Sequence, residues 1–244
     1  MENCFFDTVT VSPADTDVAG KLSLSGLLHY TQEVSGKHSD LLGFSWDALA
    51  ERGLFWAVLR HRVVIHRLPE AGENLTLQTW PMPTTRSAYP RAVRAMDEKG
   101  NLLFEVVSLW VLMDPKSRTM VLPGKSGVTV PGILLGDEIS PPGSLPAGQY
   151  PERDIWWVSQ EDTDINGHVN NARYLWKGQQ LMEKCGISAP KEFTVCYLSE
   201  ALPGEELTLY WQKGEDGIFS LDGRRRNTDV PSGEVRVFAV RLIF

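Results

Sequence analysis

Hydrophobic residues in the first half of the chain change from a helical period to a strand period. Between positions 24 and 42 the apolar and small residues recur every three or four places, which predicts a helix with one buried face. From Leu54 onward the period becomes two, which is typical of β-strands. Further strands are predicted at 4–11, 74–84, 87–96 and 102–113. The first half therefore reads as strand, loop, helix and several strands.

The second half repeats this order. A strand is predicted at 154–158 and a helix at 171–184. Four strands follow, near 191–198, 206–213, 217–226 and 233–243. One helix against an antiparallel sheet, made twice, is an α+β fold.

An internal repeat supports the duplication. Residues 11–23 and 158–170 share the frame V-S-x-x-D-T-D-[VI]-x-G. A second pair of matching segments lies at 72–77 and 204–209, which read G-E-N-L-T-L and G-E-E-L-T-L. The copies differ where reactive groups stand, because the second has Asn166 and His168 where the first has Ala19 and Lys21. We therefore expect the second half to carry the chemistry and the first half to be its scaffold.

The segment 123–151 divides the two halves. It contains twelve Gly or Pro residues, which disfavours regular helix or strand and indicates a connection. Its apolar patch at 130–135 suggests that it lies against the domains. The sequence thus predicts an N-terminal domain at 1–122, a linker at 123–151 and a C-terminal domain at 152–244.

Composition narrows the possible functions. A net charge of −7 disfavours nucleic-acid binding, which needs a basic face. No apolar run is long enough to span a bilayer, and the start does not resemble a signal peptide. Three cysteines without CxxC spacing indicate neither a disulfide framework nor a thiolate zinc site. We expect a cytoplasmic protein with no metal and no cofactor.

The stretch 164–171 lies in the loop that enters the second helix. Asn170 or Asn171 is the expected N-cap, and Gly167 lets the backbone approach a ligand closely. Unpaired N–H groups at a helix start can polarise a carbonyl oxygen, so the segment suits acyl transfer. The first copy keeps Asp17 and Gly20, which build the turn, but has no Asn or His. Folding of the turn therefore does not require Asn166 and His168.

The motif D-x-N-x-H-V-N-N at 164–171, with Glu200 in the stretch F-T-V-C-Y-L-S-E-A, resembles the acyl-[acyl-carrier-protein] thioesterases of plants and bacteria. The resemblance spans almost the whole chain and implies a tandem hot-dog fold, with an antiparallel sheet wrapped around a long helix in each half. It implies hydrolysis of fatty acyl-acyl-carrier-protein in fatty acid biosynthesis. The catalytic group that it implies is Asp164, Asn166, His168 and Glu200.

In these roles Glu200 is the base for water, and His168 positions water or substrate. Asn166 hydrogen-bonds the thioester or Glu200, and Asp164 orients its neighbours. Plant members carry a Cys directly after this Glu, whereas this chain has Ala201, so a covalent step through that position is excluded. Plant enzymes also begin with a transit peptide, and its absence favours a bacterial cytosolic form.

The resemblance further implies an acyl-chain pocket in the first half, where Phe55 and Trp56 could line a tunnel, and an acidic carrier protein as partner. Docking of that carrier needs local positive charge. Candidate side chains are Arg173, Lys177 and the run Arg224, Arg225 and Arg226. The fused halves can mimic the pairing of single hot-dog subunits, so either a monomer or a homodimer is compatible.

Three alternatives remain at this stage. An acyl-coenzyme A thioesterase is the nearest, since nothing in the sequence separates the two carriers. A non-catalytic acyl-binding protein would not need Asn166, His168 and Glu200 together. A hot-dog hydratase usually has Asn-Pro-x-His in place of Asn-Gly-His, and the spacing here fits poorly.

Overall fold

The computed structural model describes residues 3–164, 167–186 and 189–244. The chain divides into two compact units, Met1–Pro142 and Gly143–Phe244, which we call unit 1 and unit 2. Each is described by itself.

Unit 1 is an antiparallel sheet with one long helix. In chain order its elements are β1 (Phe5–Thr10), α1 (Leu24–Leu41), α2 (Trp46–Ala50), β2 (Phe55–Ile65), β3 (Asn74–Pro81), β4 (Tyr89–Met96), β5 (Leu102–Asp114), β6 (Thr119–Val121) and α3 (Pro123–Ser126). The strand order is β1-β3-β4-β5-β2, and β6 pairs with the end of β5.

Helix α1 is the hydrophobic centre of unit 1. The Ser23 side chain caps it by accepting a hydrogen bond from the Gly26 N–H at 3.0 Å. Gly43, with φ +82°, follows its last turn, and this left-handed position ends the helix. The helix face at the expected positions is buried, including Leu27, Leu28 and Val34. Burial of this stripe against β1, β3 and β4 holds the helix on the sheet.

Unit 2 repeats the plan on a smaller scale. Its elements are β7 (Glu152–Trp157), α4 (Asn171–Lys184), β8 (Glu192–Tyr197), β9 (Glu206–Lys213), β10 (Ile218–Arg226) and β11 (Glu234–Ile243). The antiparallel strand order is β7-β9-β10-β11-β8. In α4 the buried face includes Tyr174, Leu175 and Leu181.

The predicted α+β plan is confirmed, with both long helices and the main strands in place. The short elements that the sequence analysis missed include α2, β6 and α3. Each is five residues or fewer, too short for a periodic pattern to reveal it. Helix α3 lies inside the predicted linker and is one turn that begins at a proline, a residue favoured at the first helical position.

The segment predicted as a linker is held by the units themselves. In unit 1, Ile133 N–H donates to the Pro81 carbonyl at 2.9 Å, and the Trp80 indole donates to Glu138 at 3.1 Å. In unit 2, Arg236 donates to the Leu145 carbonyl at 3.1 Å. The division between the units at 142 and 143 falls inside this segment. None of the helices in the described ranges is long and apolar enough to cross a membrane.

Candidate active site

The two copies of the repeated motif form the same backbone turn. In unit 1, Asp17 N–H donates to the Lys21 carbonyl at 2.7 Å, and Gly20 N–H donates to the Asp17 carbonyl at 3.0 Å. In unit 2 the corresponding distances are 2.9 Å for Asp164 to His168 and 3.0 Å for Gly167 to Asp164. The two glycines have φ of +74° and +77°, in the left-handed region that favours glycine. The shared residues of the repeat therefore build the turn.

His168 and Glu200 lie together on this scaffold. The His168 Nε2 and Glu200 Oε2 atoms are 3.5 Å apart, and the side chains are 25% and 50% exposed. Both groups therefore contact each other and remain accessible to water and substrate. A separation of 3.5 Å is at the outer limit of a hydrogen bond, and such contacts often shorten when substrate binds.

The loop that carries Glu200 also has a counterpart in unit 1. Val169 N–H donates to the Ala201 carbonyl at 3.0 Å, just as Leu22 N–H donates to the Pro69 carbonyl at 2.8 Å. The residue before each carbonyl is Glu200 in unit 2 and Leu68 in unit 1. Leu68 is buried, with 7% of its surface exposed. The two units thus differ at a third position, and the offset of the repeated segments at 72–77 and 204–209 aligns the same two residues.

Arg225 fastens the Glu200 loop. Its Nη1 donates to the Glu200 carbonyl at 2.9 Å and to Glu205 Oε1 at 3.1 Å, and its Nη2 donates to Ser199 Oγ at 3.2 Å. Glu205 also accepts a hydrogen bond from Leu202 N–H at 3.0 Å. One guanidinium therefore holds the loop on both sides of the candidate base.

Sequence reasoning missed this fastening role, although a signal was present. Glu205 is the shared Glu of the repeated Gly-Glu-x-Leu segment, and its counterpart is Glu73. Glu73 pairs with Arg67 and accepts from Glu70 N–H at 3.0 Å. The Arg67 hydrogen bond lowers the pKa of Glu73, and the Glu70 backbone adds to this, although burial opposes them. The Glu that both copies share therefore holds its loop in place and has no role in the proposed reaction.

Asp162 anchors the start of helix α4 from inside the fold. It is 5% exposed, and it accepts from the Ser159 N–H at 2.9 Å, the Trp156 indole at 3.3 Å and Arg173 Nε at 3.1 Å. Burial alone would raise the pKa of Asp162, but these hydrogen bonds and the charge of Arg173 lower it below its ordinary value. The loop before α4 is therefore fixed by a charged group.

Of the two N-caps expected from the sequence, Asn170 or Asn171, the structure has Asn170, whose side chain accepts from Ala172 N–H at 2.9 Å. The Asn170 carbonyl accepts from Arg173 N–H at 2.9 Å. These two N–H groups are therefore already paired, and the helix start offers less to a carbonyl oxygen than the sequence suggested. Asp164 is exposed in the same loop as His168, and Asn166 lies outside the described residues.

Comparison with known proteins identifies the family of the chain. The family model for the acyl-ACP thioesterase N-terminal domain matches residues 2–122. A palmitoyl-acyl carrier protein thioesterase from Cuphea hookeriana is 25% identical over 175 residues, and one from Gossypium hirsutum is 26% identical over 168 residues. Each match covers 63% of this chain. The chain belongs to the acyl-ACP thioesterase family.

The chain spans about two fifths of the length of these plant relatives, since the matches cover 40% and 41% of them. Solved structures match over almost the whole chain. An acyl-ACP thioesterase from Bacteroides thetaiotaomicron has a TM-score of 0.84 at 22% identity, covering 99% of this chain and 98% of that one. The 12:0-ACP thioesterase from Umbellularia californica has a TM-score of 0.77 at 21% identity, covering 100% and 97%. The tandem hot-dog fold is confirmed.

For this member of the acyl-ACP thioesterase family, the basic side chains suggested for carrier docking largely have internal partners. Arg224 pairs with Asp222 at 2.9 Å, and Arg225 fastens the Glu200 loop. Arg173 binds Asp162, and Lys177 lies over the rings of two tryptophans at 5.2 and 4.9 Å. Burial lowers the pKa of Lys177. Arg226 is exposed.

Proposed function

We propose that the chain hydrolyses the thioester of a fatty acyl-acyl carrier protein and releases a free fatty acid. The observation that carries this proposal is the His168 and Glu200 pair, 3.5 Å apart, on a scaffold whose copy in unit 1 has Lys21 and Leu68 instead. The names of the plant relatives support the same reaction and carrier.

In the proposed reaction, Glu200 accepts a proton from water as the water oxygen attacks the thioester carbon. His168 holds that water or the substrate, and Asn166 donates to the thioester oxygen as it gains negative charge. The tetrahedral intermediate then loses the carrier's thiolate, which takes up the proton held by Glu200. We propose that Asp164 keeps the turn closed and so orients His168, because its counterpart Asp17 accepts from Ala19 N–H at 2.9 Å and from Lys21 N–H at 3.0 Å.

No cysteine is assigned a nucleophilic role in this reaction. Cys196 is fully buried in β8, and its Sγ lies 3.8 Å from the Gly143 carbonyl oxygen. Cys185 caps the end of α4, and Ala201 follows Glu200. Within the described residues the three cysteines form no disulfide, which supports the proposal of a reducing compartment such as the cytoplasm.

We further propose a division of labour between the domains, with the thioester cleaved in unit 2 and the acyl chain held in unit 1. The support for the second role is a cavity in unit 1 with aromatic walls that include Trp56, Tyr89 and Trp110. Apolar walls with a few polar groups are usual for a small-molecule site.

The experiment compares hydrolysis of dodecanoyl-acyl carrier protein by matched variants. His168→Ala should lower kcat by about 10²-fold or more, the effect of losing a positioned acid-base group. Lys21→Ala, the same change in the equivalent turn of unit 1, should leave kcat nearly intact. Glu200→Gln should also lower kcat strongly, whereas Glu206→Gln at an exposed strand start should not. Full activity of both His168→Ala and Glu200→Gln would place the chemistry elsewhere.

The identity of the carrier is tested by comparing thioesters of the same acyl chain with acyl carrier protein and with coenzyme A. We expect a higher kcat/KM for dodecanoyl-acyl carrier protein than for dodecanoyl-coenzyme A. The opposite order would make the chain an acyl-coenzyme A thioesterase. Loss of hydrolysis of both substrates in Glu200→Gln would show that one site serves both. Binding of either substrate with no turnover would instead support the acyl-binding alternative.

A further inference from the structure

A second polar site lies in unit 1, remote in sequence from the motif at 164–171. A cavity of about 90 Å³ lies beside helix α1. One water needs only about 10–15 Å³ of such space, so a larger group fits. Its aromatic walls come from β2, β4 and β5, and the facing helix positions 32, 35, 36 and 39 follow one face of α1. Short side chains at three of those positions, Ser35, Gly36 and Ser39, leave the space open.

Arg91 in β4 lines this cavity although it is only 8% exposed. Its Nη1 donates to His38 Nδ1 at 3.0 Å and to Thr79 Oγ1 at 3.2 Å. A guanidinium only donates, so the His38 Nδ1 atom must be unprotonated. Burial lowers the pKa of Arg91 to about 10, which leaves the side chain charged at neutral pH.

Among the described residues, no acidic side chain pairs with Arg91. In the part of the chain that the structure describes, the side-chain partners of Arg91 are the imidazole and the hydroxyl, and neither carries negative charge. Buried charges in proteins are normally paired, because removing a charge from water is costly. A cation at a cavity wall therefore points to an anionic occupant.

Two other residues of the cavity lining, Gln32 and Trp110, carry further donors. Gln32 Nε2 and Trp110 Nε1 are buried and have no hydrogen-bond partner within the described ranges. Buried polar atoms are usually satisfied, so each calls for an acceptor. The hydroxyls of Ser35 and Ser39 do not supply new donors, because they already donate to the Thr31 and Phe44 carbonyls. A ligand that accepts hydrogen bonds from Gln32 and Trp110 would satisfy both donors.

We propose that the unit 1 cavity binds the carboxylate of an aliphatic acid. An ionised carboxylate only accepts hydrogen bonds, and a guanidinium matches its two oxygens. Arg91 balances the charge, Gln32 and Trp110 donate to the oxygens, and the aromatic walls contact the chain. Such a carboxylate has two possible sources, a free fatty acid bound by its own carboxyl group or an acyl substrate with a second carboxyl group at its far end.

Binding is measured on the full chain by titration calorimetry, so the result does not depend on the proposed hydrolysis. The ligands are octanoate, 1-octanol and octylamine, which share one chain and differ in the polar group. We expect octanoate to bind at least about tenfold more tightly than either of the others, a difference of about 1.4 kcal/mol. Equal affinity for octanoate and 1-octanol would overturn the proposal and leave an apolar cavity.

Variants locate the binding site. Arg91→Met should weaken octanoate binding by about tenfold or more and remove the preference over 1-octanol, while Arg91→Lys should keep part of it. Trp110→Phe removes one N–H with little change of shape and should weaken octanoate binding severalfold. Trp211→Phe in unit 2 is the matched control, since its indole N–H is also buried without a partner in the described ranges. Circular dichroism checks the fold of Arg91→Met, and if that variant does not fold, Trp110→Phe decides.

The two sources are distinguished by hydrolysis assays. If the site binds a second carboxyl group at the far end of an acyl substrate, the 7-carboxyheptanoyl thioester should be cleaved faster than the octanoyl thioester. Arg91→Met should remove that difference in rate. If it binds the released acid, octanoate should inhibit the wild-type chain and inhibit Arg91→Met much less. An inactive enzyme would refute the proposed hydrolysis and leave the calorimetric test of the cavity intact. Unchanged octanoate binding in Arg91→Met and Trp110→Phe would refute the site.

Discussion

At the scale of single residues, Arg225 holds the loop that carries the proposed base. Its hydrogen bonds to the Glu200 carbonyl, Glu205 and Ser199 fix the loop from which the Glu200 carboxylate projects. A misplacement of about 1 Å in a reacting group can cost about 10² in rate. Arg225 is therefore a positioning residue for the proposed base and has no contact with the thioester in this scheme.

Arg225→Met should lower kcat by about 10- to 100-fold, because the Glu200 loop loses its fastening. Arg67→Met is the matched control, since Arg67 pairs with Glu73 in the equivalent loop of unit 1. Both changes should lower the melting temperature by similar amounts, but Arg67→Met should retain kcat. Arg225→Lys should recover part of the rate. Equal activity losses in the two Met variants would show that Arg225 acts through stability alone.

At the scale of elements, the turns before the two long helices share one backbone structure, but only the turn in unit 2 carries residues of the proposed site. Its backbone hydrogen bonds are the same in both units, and Gly20 and Gly167 occupy the same left-handed position. Among the described residues, no atom lies within 4 Å of a Cβ added at either glycine, so substitution there changes backbone strain without a clash with them. Substitution of Gly167 and of Gly20 therefore introduces the same backbone strain next to the proposed site and in the equivalent turn of unit 1.

Gly20→Ala and Gly167→Ala should each lower the free energy of unfolding by about 1–2 kcal/mol, the cost of a left-handed conformation for a residue with a Cβ. Only Gly167→Ala should also reduce hydrolysis, because the next residue is His168. Urea denaturation and steady-state kinetics on the same preparations test this. A comparable loss of activity in Gly20→Ala would count against the assignment of catalysis to unit 2.

At the scale of the whole molecule, the duplication has produced one unit that buries a leucine where the other exposes a carboxylate. Leu68 is 7% exposed, and the Glu200 side chain is 50% exposed. In unit 1 this position therefore contributes to the core. In unit 2 the equivalent position is not part of the core, so it can carry a charged group that contacts His168.

Reciprocal substitutions test this division. Leu68→Glu should lower the free energy of unfolding by about 3–5 kcal/mol, because it places an unpaired carboxylate in the interior. Glu200→Leu should change stability by less than about 0.5 kcal/mol, as is usual for exposed positions, yet abolish most hydrolysis. Urea denaturation gives the first quantity and turnover of acyl-acyl carrier protein the second. Similar stability losses in both variants would contradict the proposed difference between the units.

The sequence by itself determined the α+β plan, both long helices and the main strands, and it limited the N-cap of α4 to Asn170 or Asn171. These features depend on local periodicity and on side chains that act within one turn, which a linear pattern records. Short elements such as α2 and β6 have too few residues for such a pattern, and they form where neighbouring strands and helices supply contacts.

Only the tertiary structure decided which distant residues meet. It brought Glu200 within 3.5 Å of His168 and placed the Arg225 guanidinium on the Glu200 carbonyl. It also placed Arg91, Gln32 and Trp110 around one cavity. These residues lie on separate strands, helices and loops, and their contacts depend on strand order and register. The local spacing of residues along the chain carries no record of those contacts.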